Sequence, residues 1–180
     1  MNVILTGMRG TGKSNIGRAL ANLMGYAFVD TDDAIEKVAN CRIAEIVAQD
    51  GWDRFRSLEK KIIVRVAEQD DQVIATGGGA LIDPHNAALL KNRGVVVLLV
   101  CDVPTLQRRI AVEASRPSLT GEASAVEELK EVWQSRCTIY HAVADLVYDV
   151  SEETVDLEED IQRKAAEIHM LLQQYMGANT

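Results

Sequence analysis

The chain has 180 residues, is 47% hydrophobic and carries a formal net charge of −8, which suits one compact domain, predicted here as residues 1–180. This charge, without any basic stretch, argues against nucleic acid as a partner. No apolar run approaches the roughly 18 residues of a membrane span, and the sequence starts in a predicted strand without a basic leader. The three cysteines, Cys41, Cys101 and Cys137, lack metal-type spacing. Together these features predict a cytoplasmic protein with reduced thiols and no membrane association.

Short apolar runs that alternate with helical patterns predict the strands of the fold. The five predicted strands are Val3–Leu5, Ala27–Val29, Val73–Ala75, Val95–Val100 and Leu146–Val150. Near-continuous runs of Val, Ile and Leu indicate a parallel sheet that is covered on both faces. The sequence therefore predicts an α/β protein of three layers, α/β/α, around a five-stranded parallel sheet.

Periodicity and capping residues predict the helices between these strands. Helical segments are expected at Asn15–Met24, Ala34–Val38, Leu58–Glu68 and Asp156–Tyr175, with further helix starts at Asp83-Pro84 and Asp102-Val103-Pro104. The acidic first turn of the last segment suits the helix dipole.

The first predicted turn, Gly7-Met8-Arg9-Gly10-Thr11-Gly12-Lys13-Ser14, matches the phosphate-loop pattern G-x-x-x-x-G-K-[ST]. It lies between a predicted strand and a predicted helix, where successive backbone N–H groups converge on a polyphosphate. In that reading Gly10, Thr11 and Gly12 bind the nucleotide, Lys13 reaches its β- and γ-phosphates, and the Ser14 hydroxyl contacts Mg²⁺. The alternative is a tight glycine turn without a ligand.

Two carboxylates, Asp30 and Asp32, follow the second predicted strand. Ligands of open α/β sheets bind beyond the carboxyl ends of the strands, and side chains spaced i, i+2 leave a strand on the same side. One carboxylate would hold Mg²⁺ through water, and the other would accept or orient a substrate hydroxyl. The alternative is a pair of helix-capping residues.

The Phe55-Arg56-x-x-Glu59 element places Arg56 and Glu59 on one face of a helix. Arg56 would clamp a substrate carboxylate while Glu59 holds it in place. The alternative is a surface ion pair that contributes under about 1 kcal/mol.

Gly77-Gly78-Gly79 directly follows the third predicted strand. Three glycines indicate either a substrate that lies against bare backbone N–H groups or a flexible turn.

Further on, the polar segment 116–122 begins with Arg116-Pro117. It is either a surface connection or a mobile lid, predicted over about residues 112–123, which brings Arg116 to the transferred phosphoryl group. Arg136 lies on a predicted helix, where an arginine is usually solvated, so this residue alone does not indicate a functional site.

In this order the motifs resemble the shikimate kinase family, from about residue 2 to 150, including Arg116-Pro117 and Arg136-x-x-x-Tyr140. The resemblance implies a P-loop kinase fold and phosphoryl transfer from ATP, with one Mg²⁺ per subunit, to the 3-hydroxyl of shikimate. The product would be shikimate 3-phosphate, on the way to chorismate and the aromatic amino acids. It also implies a monomer whose partners are ATP and shikimate.

The resemblance further implies a role for each motif residue. Asp32 would contact the substrate hydroxyls, as a base or an orienting group, and Asp30 would be linked to Mg²⁺. Arg56 and Arg136 would grip the substrate carboxylate, and Gly77, Gly78 and Gly79 would line the substrate pocket. Arg116 would lie over the phosphates. The adenine-stacking arginine is expected at Arg108 or Arg109, and we assign Arg109 to nucleotide binding.

The chain departs from the usual pattern of that family at four places. These are Gly51-Trp52, Ser118, Thr138 and the loop Ser151–Val155, which has neither arginine nor proline.

Two other classes of protein would share part of this motif pattern. A gluconate-type kinase would share the phosphate loop and lid but not Phe55-Arg56, the triple glycine or Arg136. A nucleotide-binding regulatory module without activity would be expected to lack Lys13, Asp32 or Arg116.

Overall fold

The computed structural model describes the backbone of residues 1–112 and 125–178 and the side chains of residues 1–110 and 128–178. A five-stranded parallel sheet with the strand order β2-β3-β1-β4-β5 forms the centre of the protein. Its strands are β1 (Asn2–Gly7), β2 (Ala27–Asp30), β3 (Gln72–Ala75), β4 (Gly94–Val100) and β5 (Leu146–Asp149). The predicted five-stranded parallel sheet is confirmed, and β5 ends one residue earlier than expected.

Helices cover both faces of this sheet. They are α1 (Lys13–Met24), α2 (Thr31–Ala39), α3 (Ile43–Ala67), α4 (Pro84–Lys91), α5 (Val103–Val112), α6 (Ala125–Val143) and α7 (Leu157–Ala178), with a short 3₁₀ helix at Ala80–Ile82. None of the helices within residues 1–112 and 125–178 is long and apolar enough to cross a membrane.

Alternate residues of β1 contribute to different cores, because successive strand side chains point to opposite faces of the sheet. Val3 and Leu5 pack with α1 and α7 in one cluster, which includes Leu20 and Ile168. Ile4 packs on the other face with α2, α3 and α4. A further cluster joins β4 to α5 and α6. This arrangement is the predicted α/β/α layering.

Helix α3 differs from its prediction of Leu58–Glu68 because it begins at Ile43. It is interrupted at Gly51, whose φ of 79° and ψ of 174° are not helical. The Glu45 carboxylate accepts a hydrogen bond from the backbone N–H of Arg42, 3.0 Å away, at the start of the helix. The segment before Gly51 has apolar residues at Ile43, Ile46 and Val47, with the i, i+3, i+4 spacing of a helix, but it is short and ends at a glycine, and it was not predicted.

Asp30 ends β2 and caps α2, which begins at Thr31 rather than at Ala34. Its Oδ1 accepts hydrogen bonds from the backbone N–H groups of Asp32 at 2.9 Å and of Asp33 at 3.4 Å. The capping role considered for this pair therefore holds for Asp30. The predicted cap at Asp83 is also confirmed, since its side chain accepts from the N–H groups of His85 and Asn86.

Candidate active site

The phosphate loop connects β1 to α1, as predicted from its sequence. Gly12 precedes the helix with a φ of 82°, in the left-handed region that favours glycine. No side chain of the described residues caps the start of α1, so the N–H groups of its first turn face the loop. Those groups and the helix dipole form a site for an anion.

Lys13 and Ser14 lie at the start of α1, and both make contacts within or beside the loop. The Lys13 ammonium donates to the carbonyl oxygens of Gly7 at 3.0 Å and of Met8 at 2.8 Å. The Ser14 hydroxyl donates to Asp30 Oδ2 at 2.6 Å. Asp30 thus links the phosphate loop to the start of α2 through its two carboxylate oxygens.

The triple glycine follows β3, and two of its members make room for charged side chains of the site. A Cβ atom on Gly77 would lie 2.5 Å from Asp32 Oδ1, and one on Gly79 would lie 2.4 Å from Arg56 Nη2. The Gly77 N–H is also bonded to Thr31 Oγ1 at 2.9 Å. The glycines therefore allow close approach of side chains, rather than serving only as a flexible turn.

Arg56 and Glu59 form an ion pair in which the carboxylate is buried, whereas the Arg56 side chain is 36% exposed and lines a cavity. Arg56 Nη1 lies 2.6 Å from Glu59 Oε2, and the Glu59 side chain is only 1% exposed. Burial raises the pKa of Glu59, and the charge of Arg56 opposes this rise. Because Glu59 lies one turn along α3, it holds the guanidinium of Arg56 in one orientation beside Gly79.

Arg136 and Tyr140, one turn apart on α6, both donate to the carbonyl oxygen of Gly78. The Arg136 contact is 3.2 Å long, and the second donor is the hydroxyl of Tyr140. Burial raises the pKa of Tyr140, so the hydroxyl stays protonated and able to donate. The sequence had marked Arg136-x-x-x-Tyr140 only through the resemblance, and the common acceptor gives a structural reason for this spacing.

One cavity of about 460 Å³ brings together the residues predicted to bind the acceptor substrate. All six line it: Asp32, Arg56, Gly77, Gly78, Gly79 and Arg136. Met8 and Arg9 of the phosphate loop line it as well. The cavity thus lies beside the loop, at the end of the sheet where β1, β2 and β3 terminate, as expected for an open α/β sheet.

Two lining residues, Arg42 and Ile43, and the partner of Arg9 were not predicted. Arg42, Ile43 and Trp52 also line the cavity. Arg9 forms an ion pair with Glu128 of α6 at 3.1 Å, and the Glu128 side chain is only 2% exposed. No local motif marks such a pair, because its members are 119 positions apart.

The two candidates for base stacking differ in the structure. Arg109 is held against the phosphate loop, with its Nη1 donating to the carbonyl oxygen of Gly10 at 3.3 Å. Arg108 is 63% exposed, and Arg109 is 22% exposed. Arg116 and the predicted lid of residues 112–123 lie outside the described residues, apart from the backbone of residue 112.

A phosphate loop in a fully parallel sheet, with a polar acceptor cavity beside it, defines the class of P-loop kinases that phosphorylate small molecules. Residues 9–169 match the model of the family described as Shikimate kinase. The chain belongs to the shikimate kinase family. It is therefore a transferase, a kinase that binds ATP, and part of aromatic amino-acid biosynthesis.

Curated relatives and solved structures agree with this assignment. The chain is 39% identical over 159 residues to Shikimate kinase 2 of Sodalis glossinidius, covering 87% of this chain and 90% of that protein. It is 36% identical over 155 residues to the shikimate kinase of Caldanaerobacter subterraneus, covering 86% and 90% of the two chains. The fold is similar to that of the Acinetobacter baumannii shikimate kinase in complex with shikimate, with a TM-score of 0.85, 30% identity and coverage of 96% and 93%.

Proposed function

We propose that this protein transfers the γ-phosphoryl group of ATP to the 3-hydroxyl of shikimate, giving shikimate 3-phosphate and ADP. The observation that carries the proposal is the single cavity beside the phosphate loop, in which two arginines, one aspartate and the triple glycine meet. This set suits a small, hydroxylated carboxylic acid, because guanidinium groups bind carboxylates in a bidentate fork and a carboxylate accepts from hydroxyls.

Arg56 and Arg136 are proposed to hold the substrate carboxylate. Both are fixed before substrate arrives, Arg56 by Glu59 and Arg136 by the carbonyl oxygen of Gly78. Prior fixation lowers the entropy that is lost on binding and sets the position of the reacting hydroxyl. Asp32 lines the same cavity, where it would accept the proton of that hydroxyl or orient it for attack.

The phosphate loop is proposed to bind the nucleotide through Gly10, Thr11, Gly12, Lys13 and Ser14. The Lys13 ammonium now bonds to loop carbonyls, and with ATP present it would turn to the β- and γ-phosphates. Arg109, held against Gly10, would contact the base. Arg116 stays a prediction for the phosphates, since it lies outside the described residues.

Ser14 and Asp30 are proposed to hold one Mg²⁺, Asp30 through a water molecule. Their oxygens are 2.6 Å apart beside the phosphate loop, and a hydroxyl with a carboxylate fits the oxygen donors that Mg²⁺ takes together with phosphate and water. When bound, Mg²⁺ neutralises charge on the phosphate oxygens.

The protein is proposed to act as a monomer, because one chain supplies all the residues predicted to bind the acceptor. Because it is a biosynthetic kinase, we place it in the cytoplasm.

Arg136→Ala and Lys13→Ala test this division of the site. Arg136→Ala should raise the KM for shikimate by at least about tenfold while leaving ATP binding nearly intact, because the substrate carboxylate loses a partner, whereas the carbonyl oxygen of Gly78 keeps its bond from Tyr140. Lys13→Ala should instead lower kcat, since it removes a charge that acts on the transferred group. Lys130→Ala, an exposed position on the same helix as Arg136, is the matched control. An unchanged shikimate KM in Arg136→Ala would contradict the proposed carboxylate site.

A further inference from the structure

The guanidinium of Arg109 is bonded along its edges by acceptors from separate segments of the chain. Its Nε donates to Glu153 Oε1 at 2.9 Å, its Nη1 to the carbonyl oxygen of Gly10 at 3.3 Å, and its Nη2 to the carbonyl oxygen of Val150 at 3.0 Å. Hydrogen bonds to a guanidinium lie in its plane. These bonds fix the plane of the Arg109 guanidinium. Another flat group can therefore contact it only by stacking on one of its two faces.

Glu153 is itself held between two arginines. Its second oxygen, Oε2, accepts from Arg108 Nη2 at 3.0 Å, and that nitrogen also donates to Thr105 Oγ1 at 2.8 Å. The hydrogen bonds from Arg108, and then those from Arg109, lower the pKa of Glu153, so the carboxylate is ionised at neutral pH. The Glu153 carboxylate thus bridges the two arginines, with Oε1 bonded to Arg109 and Oε2 bonded to Arg108. A movement away from Arg109 would disturb both bonds.

The loop that carries Glu153 is fixed at both of its ends. The Ser151 hydroxyl accepts from the backbone N–H of Asp102 at 2.9 Å, at the start of α5. On the other side, the backbone N–H of Thr154 donates to Asp160 Oδ1 at 3.3 Å, and the Thr154 hydroxyl donates to the carbonyl oxygen of Asp156 at 2.9 Å. The backbone on either side of Glu153 is therefore fixed by the fold, and the two arginines hold its carboxylate.

We infer that Glu153 is a positioning residue for the nucleotide, which holds the Arg109 guanidinium beside the phosphate loop with one face presented to the base. The inference rests on the proposed function, in which Arg109 contacts the base. The loop lacks the arginine and proline that are usual in the family, and it carries a carboxylate that acts on an arginine already present on α5.

This geometry separates the effect of Glu153 on the base from its effect on the phosphates. Stacking on a fixed guanidinium strengthens binding of a base-bearing ligand. The Glu153 carboxylate also places a negative charge near the phosphate loop, and that charge opposes binding of any polyphosphate. Removing the charge should therefore weaken ATP, which has a base, and leave inorganic tripolyphosphate unchanged or more tightly bound.

Calorimetric titration of Glu153→Gln with ATP and with inorganic tripolyphosphate, each with Mg²⁺, tests the inference. The ratio of the Kd for ATP to the Kd for tripolyphosphate should rise about fivefold, in the range expected for one exposed cation–π contact. In kinetics the KM for ATP should rise, while kcat and the KM for shikimate stay within about twofold. Glu152→Gln, the exposed neighbour, is the matched control and should change neither Kd.

An unchanged ratio in Glu153→Gln would overturn the inference, whether both ligands weaken together or neither does. If Glu153→Gln folds poorly, Arg108→Gln, which removes only the outer partner of Glu153, should raise the ratio in the same direction by a smaller factor. Failure of the unmodified protein to bind ATP would instead contradict the proposed function itself. The two failures are therefore distinguishable.

Discussion

The Arg56 side chain depends on two residues that lie on different elements of the fold. Glu59, on the same helix, fixes its guanidinium, and Gly79, after β3, leaves the space that the guanidinium occupies. The contact with Glu59 was predicted from the i, i+3 spacing, with a solvated surface pair as the alternative, whereas no local pattern indicates the contact with Gly79. Each neighbour can be changed without touching Arg56, and each change has a separate expected effect.

The pKa of Glu59 makes the carboxylate site sensitive to mild acid. Burial raises this pKa, so the carboxylate that pairs with Arg56 is lost as pH falls through the raised value, before an exposed glutamate would protonate. We expect the KM for shikimate to rise on acidification, and in Glu59→Gln to be about tenfold higher and nearly independent of pH. KM measured from neutral to mildly acidic pH checks this, and parallel profiles for the two proteins would contradict it.

The same proton affects stability in the opposite sense. The native state binds the Glu59 proton more tightly than the unfolded chain does, so the contribution of this group to stability falls as pH rises through the raised pKa. Acidification therefore weakens substrate binding without weakening the fold at this residue.

Gly79→Ala tests the space beside Arg56. The φ of −108° at Gly79 suits alanine, so the expected effect comes from the Cβ atom, which would lie 2.4 Å from Arg56 Nη2. Because the end of a flexible side chain can move, the KM for shikimate should rise about tenfold with little loss of stability. Gly177→Ala, where no described atom lies within 4 Å of the added Cβ, is the control. Equal KM values for the two variants would refute this role of Gly79.

At the scale of elements, α7 carries a buried charge cluster near its start, which also bonds to the preceding loop. Asp160, which is 4% exposed, accepts from Lys164, which is 2% exposed, and from Arg163 Nη2 at 2.9 Å. Asp160 also accepts from the backbone N–H of Thr154, in the loop that carries Glu153. The last helix therefore both closes one core and fixes this loop.

Asp160→Ala should destabilise the protein by about 3 kcal/mol, because it leaves the buried Lys164 ammonium without its carboxylate partner. The free energy of unfolding in urea measures this loss. Glu158→Ala on the same helix, which removes an exposed bond to Gln162, should cost under about 0.5 kcal/mol. A loss below about 1 kcal/mol in Asp160→Ala would show that the buried Lys164 ammonium does not depend on this carboxylate.

Elements with a strong local signal were predicted, and one short helical segment was missed. The strands were found because both faces of a parallel sheet are covered, which forces continuous apolar runs such as Val95–Val100. The first half of α3 was missed although Ile43, Ile46 and Val47 have helical spacing, since the segment is short and Gly51 interrupts it. The capping role of Asp30 was considered beforehand, but only its two bonded oxygens show that it also contacts Ser14.

At the scale of the molecule, the site is assembled from segments that are far apart in sequence. Asp32 and the triple glycine were predictable because each follows the carboxyl end of a strand, and the sheet brings these ends together, whereas Arg136 was marked only through the family resemblance. The pairs that fix the arginines could not be predicted, since Arg9–Glu128 and Arg109–Glu153 join positions 119 and 44 residues apart. Their members look like ordinary surface charges until the fold is known.

Charge is also arranged at this scale. The protein has a net charge of −8, whereas ATP and a carboxylic acid substrate are both anions. Four arginines, Arg9, Arg42, Arg56 and Arg136, line the cavity together with four carboxylates, Asp32, Asp33, Glu36 and Glu59. The cavity lining is therefore balanced in charge although the chain as a whole is acidic, and salt screens the exposed charges that lie beyond about 10 Å.

The most direct test of the central claim is ADP release by the purified protein with Mg²⁺ and ATP, in the presence of shikimate, of gluconate or of no acceptor. We predict release that depends on shikimate alone, because the chain belongs to the shikimate kinase family and its cavity presents two fixed arginines to a carboxylate and an aspartate to a hydroxyl. Release with gluconate, which also carries a carboxylate, would keep the phosphate site but contradict shikimate as the acceptor. Release with neither acceptor, although ATP binds, would contradict the proposed activity and favour a nucleotide-binding regulatory module.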